Sequence, residues 1–390
     1  MYIAHIATSV TLNQTIFNQM VYQQQQGHRV VALCPDDEWT KPIKYKDIKV
    51  IHVPFLWHNA KASLTSAFLR TFQVCRQNKF DVVHTHTLLP GIAGRIGARL
   101  AGVPCVVHTF HSWPPHLYKS LAFKWAFYAS EITAAHSAHA ILFQNPDDLR
   151  SWSNIPAVPM RKATLVGNGI DFSAITKKVG LGARERIRKE FGVDEDAFVI
   201  VNVARFEPQK GHMFLLHTLK HLIPQVDRKV VVLLVGMGID QEKIEAEVKR
   251  LDLQDAVYFT GYRQDVSDIL AASDISVMAS HYEGIPRALM ESMALGLPVV
   301  ATDVPGTRSL IQSGKTGLLV KYDDVPGFSG AIVKVLTDPT LAKQLGENGR
   351  HRVQTEFNEY AVADRVEEIY SHVLNNKSGA LPHWISNSSL

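Results

Sequence analysis

Short apolar runs of strand length alternate along this chain with longer stretches of helical periodicity. YIAHIA, RVVALC, DVVHTH, PCVVHTF and HAILFQN, all within the first 145 residues, are rich in β-branched side chains and separated by helical stretches. A second series starts near residue 197 with AFVIVNVARF, KVVVLLVG, AVYFTG, DISVMAS, PVVAT and GLLVK. Continuous apolar runs alternating with helices predict parallel βαβ units in a doubly wound sheet covered on both faces. Between the two series, VGNGIDFSAITKKVGLGARERIRKEF is richer in glycine and charge, and predicts a linker followed by a surface helix. The pattern therefore predicts two doubly wound α/β domains, residues 1–175 and 176–358. A last helix is expected over 359–376 and a mobile tail over 377–390. Open α/β sheets bind ligands outside their strand C-termini, so two such domains are expected to face each other across a ligand cleft.

One stretch breaks the purely structural pattern. Residues 280–300 read SHYEGIPRALMESMALGLPVV, with Glu283 in a Gly/Pro turn and Glu291 inside the helical run that follows. Pro286 suits the first position of a helix, and Gly296 suits the position just past its end. Glu291 then lies about 7.5 Å along the axis from Pro286. Free N–H groups at a helix start attract anions, phosphates above all. Carboxylates repel phosphate but accept hydrogen bonds from hydroxyls. A phosphate on the amides with hydroxyl-rich groups on either side describes a nucleotide sugar.

Other candidates sit at strand ends. VNVARFEPQKGH places Arg205 and Lys210 in the loop after an apolar strand, where a planar fork and a point charge could meet a diphosphate; the alternative is two solvated surface cations. KVVVLLVGMG ends in Gly236-Met237-Gly238, small residues that would let a ligand approach the backbone. His111 falls just past a strand end, where it could donate to a sugar hydroxyl or move a proton. His108, inside that strand, reads as a satisfied core histidine. His84, His86 and His108 invite a metal reading, which their placement on alternate positions of different strands argues against. Asp194 and Asp196 form an Asp-x-Asp, but in a turn before a strand, on the wrong side to face a cleft; no metal site is expected.

Composition narrows the class without choosing within it. The 390 residues are 46% hydrophobic and 20% charged, with a formal net charge of +4, ordinary for an enzyme with two cores. Cys34, Cys75 and Cys105 lack metal-like spacing and are expected to be buried thiols. MYIAHIATSV has neither a basic n-region nor a long apolar h-region, and no run approaches the length of a membrane helix, so a cytoplasmic location is expected. The weak positive charge favours anionic partners in general; no nucleic-acid partner is expected.

FDVVHTHTLLPGIAGRIGARLAGVPCVVHTFH, VGNGID, VARFEPQKG, VVLLVGMG, VYFTGY and ASHYEGIPRALMESMALGLPVVATDVPG, in that order, resemble glycosyltransferase family 4, the retaining GT-B enzymes, over nearly the whole chain. The E-x7-E segment following R-x4-K-G is the most specific part. The resemblance implies two Rossmann-like domains with the C-terminal helix crossing back to the first. It also implies a nucleotide-sugar donor, with UDP as the ordinary nucleotide, and no cofactor. Arg205 and Lys210 would bind the donor diphosphate, and Glu283, with the amides of Gly284 and Ile285 and the adjoining Pro286, the donor sugar. Glu291 would hold the ribose hydroxyls, His111 would reach the sugar, and Tyr262 and Arg263 would offer backbone to the base. Relatives often carry a Gly-Gly pair in the first loop; here the corresponding loop, ATSVTLNQTIF, offers Thr8, Thr11 and Asn13 instead.

The implied activity is transfer of a sugar to an acceptor hydroxyl in cell-surface polysaccharide, glycolipid or other glycoconjugate synthesis. A nucleotide-sugar epimerase or phosphorylase of the same fold, and a non-catalytic nucleotide-binding regulator, are the rival readings. A further feature concerns the acceptor. Beyond Pro115 a helix is expected, with Leu117, Leu121, Trp125 and Tyr128 on one face, Phe123 and Phe127 on a second strip, and Lys119 and Lys124 between. Such a helix suits either a crossover packed on its sheet or peripheral contact with the inner face of the membrane and a lipid-linked acceptor.

Overall fold

The structure, a computed structural model, describes residues 1–55, 60–113, 120–375 and Leu381. It divides into two compact units, residues 1–167 with the chain from Glu359 onward, and residues 168–358.

The first unit is built on seven parallel strands: β1 (Tyr2–Ile6), β2 (Arg29–Cys34), β3 (Lys49–His52), β4 (Val82–His86), β5 (Cys105–Phe110), β6 (Ala140–Phe143) and β7 (Ala163–Leu165). Their order across the sheet is β3-β2-β1-β4-β5-β6-β7. Alternation along β1 explains the two-sided burial. Ala4 and Ile6 pack with Val31, Leu33 and Val83 on one face. Ile3 packs with Val82, Cys105, Val107 and Tyr370 on the other. β3 and β7 were not foreseen from the sequence: they are edge strands of four and three residues, too short to show a period.

The last helix, Glu359–Asn375, belongs to this unit and covers the Ile3 face. Its contacts are specific as well as apolar. Asn18 donates to Glu359, Tyr22 to Asp364, and Arg365 Nη1 to the Val166 carbonyl at 2.7 Å. The expected mobile tail lies outside the described residues apart from Leu381, which is buried with Val366 and Ile369.

The second unit carries six parallel strands: β8 (Phe198–Val203), β9 (Val230–Val235), β10 (Val257–Gly261), β11 (Ile275–Met278), β12 (Val299–Thr302) and β13 (Leu318–Val320). Their order is β10-β9-β8-β11-β12-β13. Ile200, Val232 and Leu234 face one core, Val199, Val201, Val231 and Leu233 the other. Both units are therefore Rossmann-like parallel sheets covered by helices. In each, the strand order reverses once, between β1 and β4 and between β8 and β11. Loops on either side of such a reversal diverge and leave a crevice at the strand C-termini.

The supposed loop ATSVTLNQTIF is instead helical. Thr8 caps a turn over Ser9–Thr11 that continues through a π-helical stretch, Leu12–Ile16, into the helix Phe17–Gln25. Without glycine the segment avoids that residue's extra entropy cost in a helix, and the Thr8 hydroxyl both accepts from the Thr11 N–H and bonds the Thr11 hydroxyl. The three cysteines are free and buried, and burial pushes their thiols up to about 12. No helix among the described residues is long and apolar enough to cross a membrane.

Candidate active site

In the second unit the loops that flank the sheet reversal are fastened to each other. After β8, the chain passes Arg205 and a short 3-10 turn, Pro208–Lys210, before the helix His212–Leu222. After β11, it runs through Ser280 to Glu283 into the helix Arg287–Ala294. The His281 N–H donates to the Gln209 carbonyl at 2.9 Å, and the Gln209 side-chain amide donates to the Tyr282 carbonyl at 2.8 Å. These clamps bring Lys210 Nζ to 2.7 Å from Glu283 Oε1. The same oxygen accepts from the Ser280 hydroxyl at 2.6 Å, and Thr302 donates to the Ser280 carbonyl at 2.6 Å. Glu283 is 6% exposed, so this ion pair is shielded from water and stronger than a surface pair.

The close fit of the turn after Glu283 rests on a distant glycine. A Cβ built on Gly306 would fall 1.2 Å from the Gly284 carbonyl oxygen, and the Gly306 N–H donates to the Glu283 carbonyl at 3.2 Å. Only a residue without a side chain lets the two backbones meet there. Ile285 is buried, and its carbonyl accepts from the Asn168 amide at 3.3 Å. Pro286 is displaced by one position from the expected place: with ψ of 114° it is the N-cap residue, and Arg287 opens the helix. The extended ψ turns the chain sharply into the helix, and the proline at the N-cap has no side-chain group to cap it. Gly296, with φ of +75°, does follow the C-cap.

The remaining candidates of this unit lie around that centre. Arg205 is mostly exposed and pairs with Glu207 at 2.9 Å. Glu291 pairs with Arg287 one turn earlier at 3.4 Å. Tyr262 is exposed just past β10, the edge strand. Arg263 is held by Glu190 and Asp265, which raise its already high pKa. Gly236 has a different reason from the one its position suggests. Its φ is +144°, and a Cβ there would lie 2.0 Å from the Ala204 carbonyl oxygen. The glycine lets the loops after β8 and β9 touch, and ligand approach is not needed to explain it. Asp194 stands at the opposite, N-terminal end of β8, exposed and paired with Lys229 at 3.2 Å.

His111 belongs to the first unit, at the end of β5, and it heads an arrangement that the sequence did not reveal. Alternation puts His84 and His86 of β4 on one face, and strand register sets His5 of β1 beside His84. His86 Nδ1 is 3.1 Å from His111 Nε2, His86 Nε2 is 3.1 Å from His5 Nδ1, and His5 Nε2 is 2.8 Å from Gln23 Oε1. His84 bonds the Tyr370 hydroxyl at 2.6 Å and Thr109 at 2.7 Å. Burial lowers the pKa of all four rings, of His5 and His111 to about 4. The spacing argument against a cluster thus fails for His84 and His86, whose nitrogens with that of His5 lie within 4.8 Å of one another. His108 points the other way, toward Thr85 at 2.9 Å. Both ring nitrogens of His5, His84 and His86 have hydrogen-bond partners and no carboxylate among the described residues joins them, a set that suits hydrogen bonding better than a metal ion. Gln23, His5 and His86 in the first unit, and Ser280 and Gln209 in the second, are the residues that sequence reasoning missed. The H-x-H of VVHTH was the available signal.

Comparison with known proteins agrees with this architecture. Residues 12–169 match the glycosyl transferase 4-like domain family, and residues 183–352 the glycosyl transferases group 1 family. The chain is 31% identical over 346 residues to the alpha-maltose-1-phosphate synthase of Mycolicibacterium smegmatis, covering 83% of this chain and 87% of that one. It is 29% identical over 335 residues to the UDP-Gal:alpha-D-GlcNAc-diphosphoundecaprenol alpha-1,3-galactosyltransferase of Escherichia coli, with 85% of each covered. Among solved structures, HepE of Anabaena with UDP and glucose superposes with a TM-score of 0.82 at 19% identity, over 95% of this chain and 99% of that one. WaaG, a glycosyltransferase involved in lipopolysaccharide biosynthesis, gives a TM-score of 0.77 at 17% identity, over 95% and 100%. The fold is thus the GT-B fold. The chain belongs to the family 4 glycosyltransferases.

Proposed function

We propose that this glycosyltransferase moves a sugar from a nucleotide-sugar donor, a UDP-sugar, to an acceptor hydroxyl with retention of anomeric configuration. The observation that carries the reading is the shielded Lys210–Glu283 pair beside the start of the helix Arg287–Ala294. A diphosphate leaving group gains negative charge as the glycosidic bond breaks. Lys210, with N–H groups left over from Glu283, Arg205 and the helix amides would meet that charge in fixed positions, the arrangement that lowers such barriers most. Glu283 spends Oε1 on Ser280 and Lys210, which assigns its sugar contacts to Oε2. Glu291 would hold ribose hydroxyls, and His111 a sugar hydroxyl. No side chain is assigned as a nucleophile, and the cations and amides supply the charge neutralisation without a metal.

The E. coli relative named for a diphosphoundecaprenol substrate supports a lipid-linked acceptor. So does the helix Leu121–Ser137, where Trp125 is 66% exposed and Lys124 lies over the Tyr128 ring. Phe127 of the expected second strip is buried instead in the sheet's core, while Leu117 and Lys119 lie outside the described residues. Incubation with a panel of UDP-, GDP- and ADP-sugars, read by thermal shift, tests the donor assignment. A UDP-sugar at 100 times its Kd is expected to add about 2.7 kcal/mol of stability. No shift with any nucleotide sugar would defeat the reading.

A further inference from the structure

A neutral imidazole has one N–H and one lone pair, so a chain of ring-to-ring hydrogen bonds can run in one direction only. The row Gln23–His5–His86–His111 is such a chain. Its first member decides the rest. Oε1 of Gln23 accepts from the Nε2–H of His5, which leaves Nδ1 of His5 to accept from the Nε2–H of His86. Nδ1 of His86 then accepts from the Nε2–H of His111, and the remaining nitrogen of His111, Nδ1, carries a lone pair. Burial keeps the rings neutral, so no second proton scrambles this order. Nδ1 of His111 is itself buried and makes no close hydrogen bond, the Gln144 side chain being the polar group that faces the ring. A buried acceptor left unpaired is costly, and the cost is recovered when a donor arrives. The residue that follows His86 supports a site under constraint. Thr87 has φ of 60° and ψ of 174°, a region nearly reserved for glycine, at the point where the strand order reverses.

We propose that Gln23, His5 and His86 are positioning residues that hold His111 with its proton on Nε2, so that Nδ1 can only accept a hydrogen bond from a hydroxyl of a substrate sugar. The proposal rests on the reading of His111 as a sugar contact. It predicts a preference the rest of the site does not impose: the hydroxyl at this position must donate, and a sugar whose group there can only accept is excluded.

The full-length protein, labelled with 15N in its histidines, provides the test. Long-range proton–nitrogen correlation spectra show which ring nitrogen carries the proton. The expected result is Nε2–H for His5, His86 and His111. His86→Leu should release His111 into a mixture of tautomers and lower kcat/KM for the preferred UDP-sugar about tenfold, the worth of one hydrogen bond. His86→Asn, which retains a carbonyl acceptor for the Nε2–H, should restore most of both. Gln23→Met, three rings from Nδ1 of His111, should shift the tautomer as well, and carries the test if His86→Leu does not fold. A proton on Nδ1 of His111 in the unaltered protein would overturn the proposal. So would stoichiometric metal bound to the purified protein through His5, His84 and His86, or an unchanged His111 tautomer in both His86→Leu and Gln23→Met. Absence of turnover by the unaltered protein with every nucleotide sugar would defeat the transferase reading instead, and the spectra would still decide the direction of the chain.

Discussion

Lys210 and Glu283, 73 positions apart in the chain, meet at 2.7 Å because the loops after β8 and β11 flank the reversal of the second sheet. The pair has two consequences that separate experimentally. Lys210→Ala leaves a largely buried carboxylate with Ser280 as its remaining charge-stabilising side chain, and should cost about 1–3 kcal/mol of stability. It should also depress kcat by at least about a hundredfold, as the loss of a fixed charge donor does. Adding Glu283→Gln removes the stranded charge and should return most of the stability but none of the activity. Tm and kcat of the single and double variants check this. Recovery of activity in the double variant would show that Lys210 matters only as a partner of Glu283.

Arg205 should behave differently. Its side chain is 64% exposed and its partner, Glu207, lies in the same surface loop, so the pair contributes about 0–1 kcal/mol. Arg205→Ala is therefore expected to leave Tm unchanged while kcat falls about a hundredfold or more, the effect of removing a diphosphate contact. Activity within about threefold of the parent protein would remove Arg205 from the mechanism.

Much of this was legible in the sequence, for a physical reason. Central parallel strands buried on both faces are continuous apolar runs, and in the second unit the half-buried edge strands β10 and β13 are apolar enough to stand out with them. The edge strands Lys49–His52 and Ala163–Leu165 did not. The E-x7-E segment was legible because a Gly/Pro turn feeding a helix leaves a local trace. What could not be read is what tertiary structure creates. Gly236 and Gly306 are glycines because carbonyls from other loops press on them. Arg263 is engaged by Glu190, 73 residues earlier. The histidine chain needs the register of β1 against β4, and nothing in the local sequence of His5 foretells it.

Glu291 and Glu283 should separate in their kinetics. Glu291 is bonded to Arg287 on a half-buried side of its helix, and a ribose contact there is made equally before and during reaction. Glu291→Gln should raise the donor KM with little change in kcat, and cost the helix only about 0.3–0.5 kcal/mol. Glu283→Gln should lower kcat. Initial-rate measurements over a range of donor concentration decide, and identical signatures for the two variants would contradict the division of roles.

Chelation offers a further check. Arg205, Lys210 and the helix amides are assigned the neutralisation of the diphosphate, and the Asp-x-Asp of the second unit lies exposed at the far end of β8. Turnover in excess EDTA should match the untreated protein. A loss that Mn²⁺ or Mg²⁺ restores would refute the assignment.

The buried histidines also make a statement about acid stability. His5 and His111 titrate near 4 in the folded protein, against 6.5 for a free imidazole, chiefly because burial disfavours the charged ring. The unfolded chain therefore takes up protons first as pH falls. The stability these rings contribute is complete above pH 6.5 and is lost progressively between 6.5 and about 4. At pH 5, 1.5 units below the free value, the fully buried His5 alone would account for about 2 kcal/mol. Coupling among the neighbouring rings makes their losses less than additive. Urea midpoints measured from pH 7.5 to 4.5 should accordingly drop steeply below pH 6.5. His212 of the second unit, also held near 4 by burial, predicts a smaller decline there. The two units can be told apart by His5→Gln, which should flatten the pH dependence of the first unit while leaving that of the second intact. A urea midpoint that stays constant from pH 6.5 to 5 would mean that the rings are hydrated or already charged, and the hydrogen-bonded chain could not then hold a single tautomer.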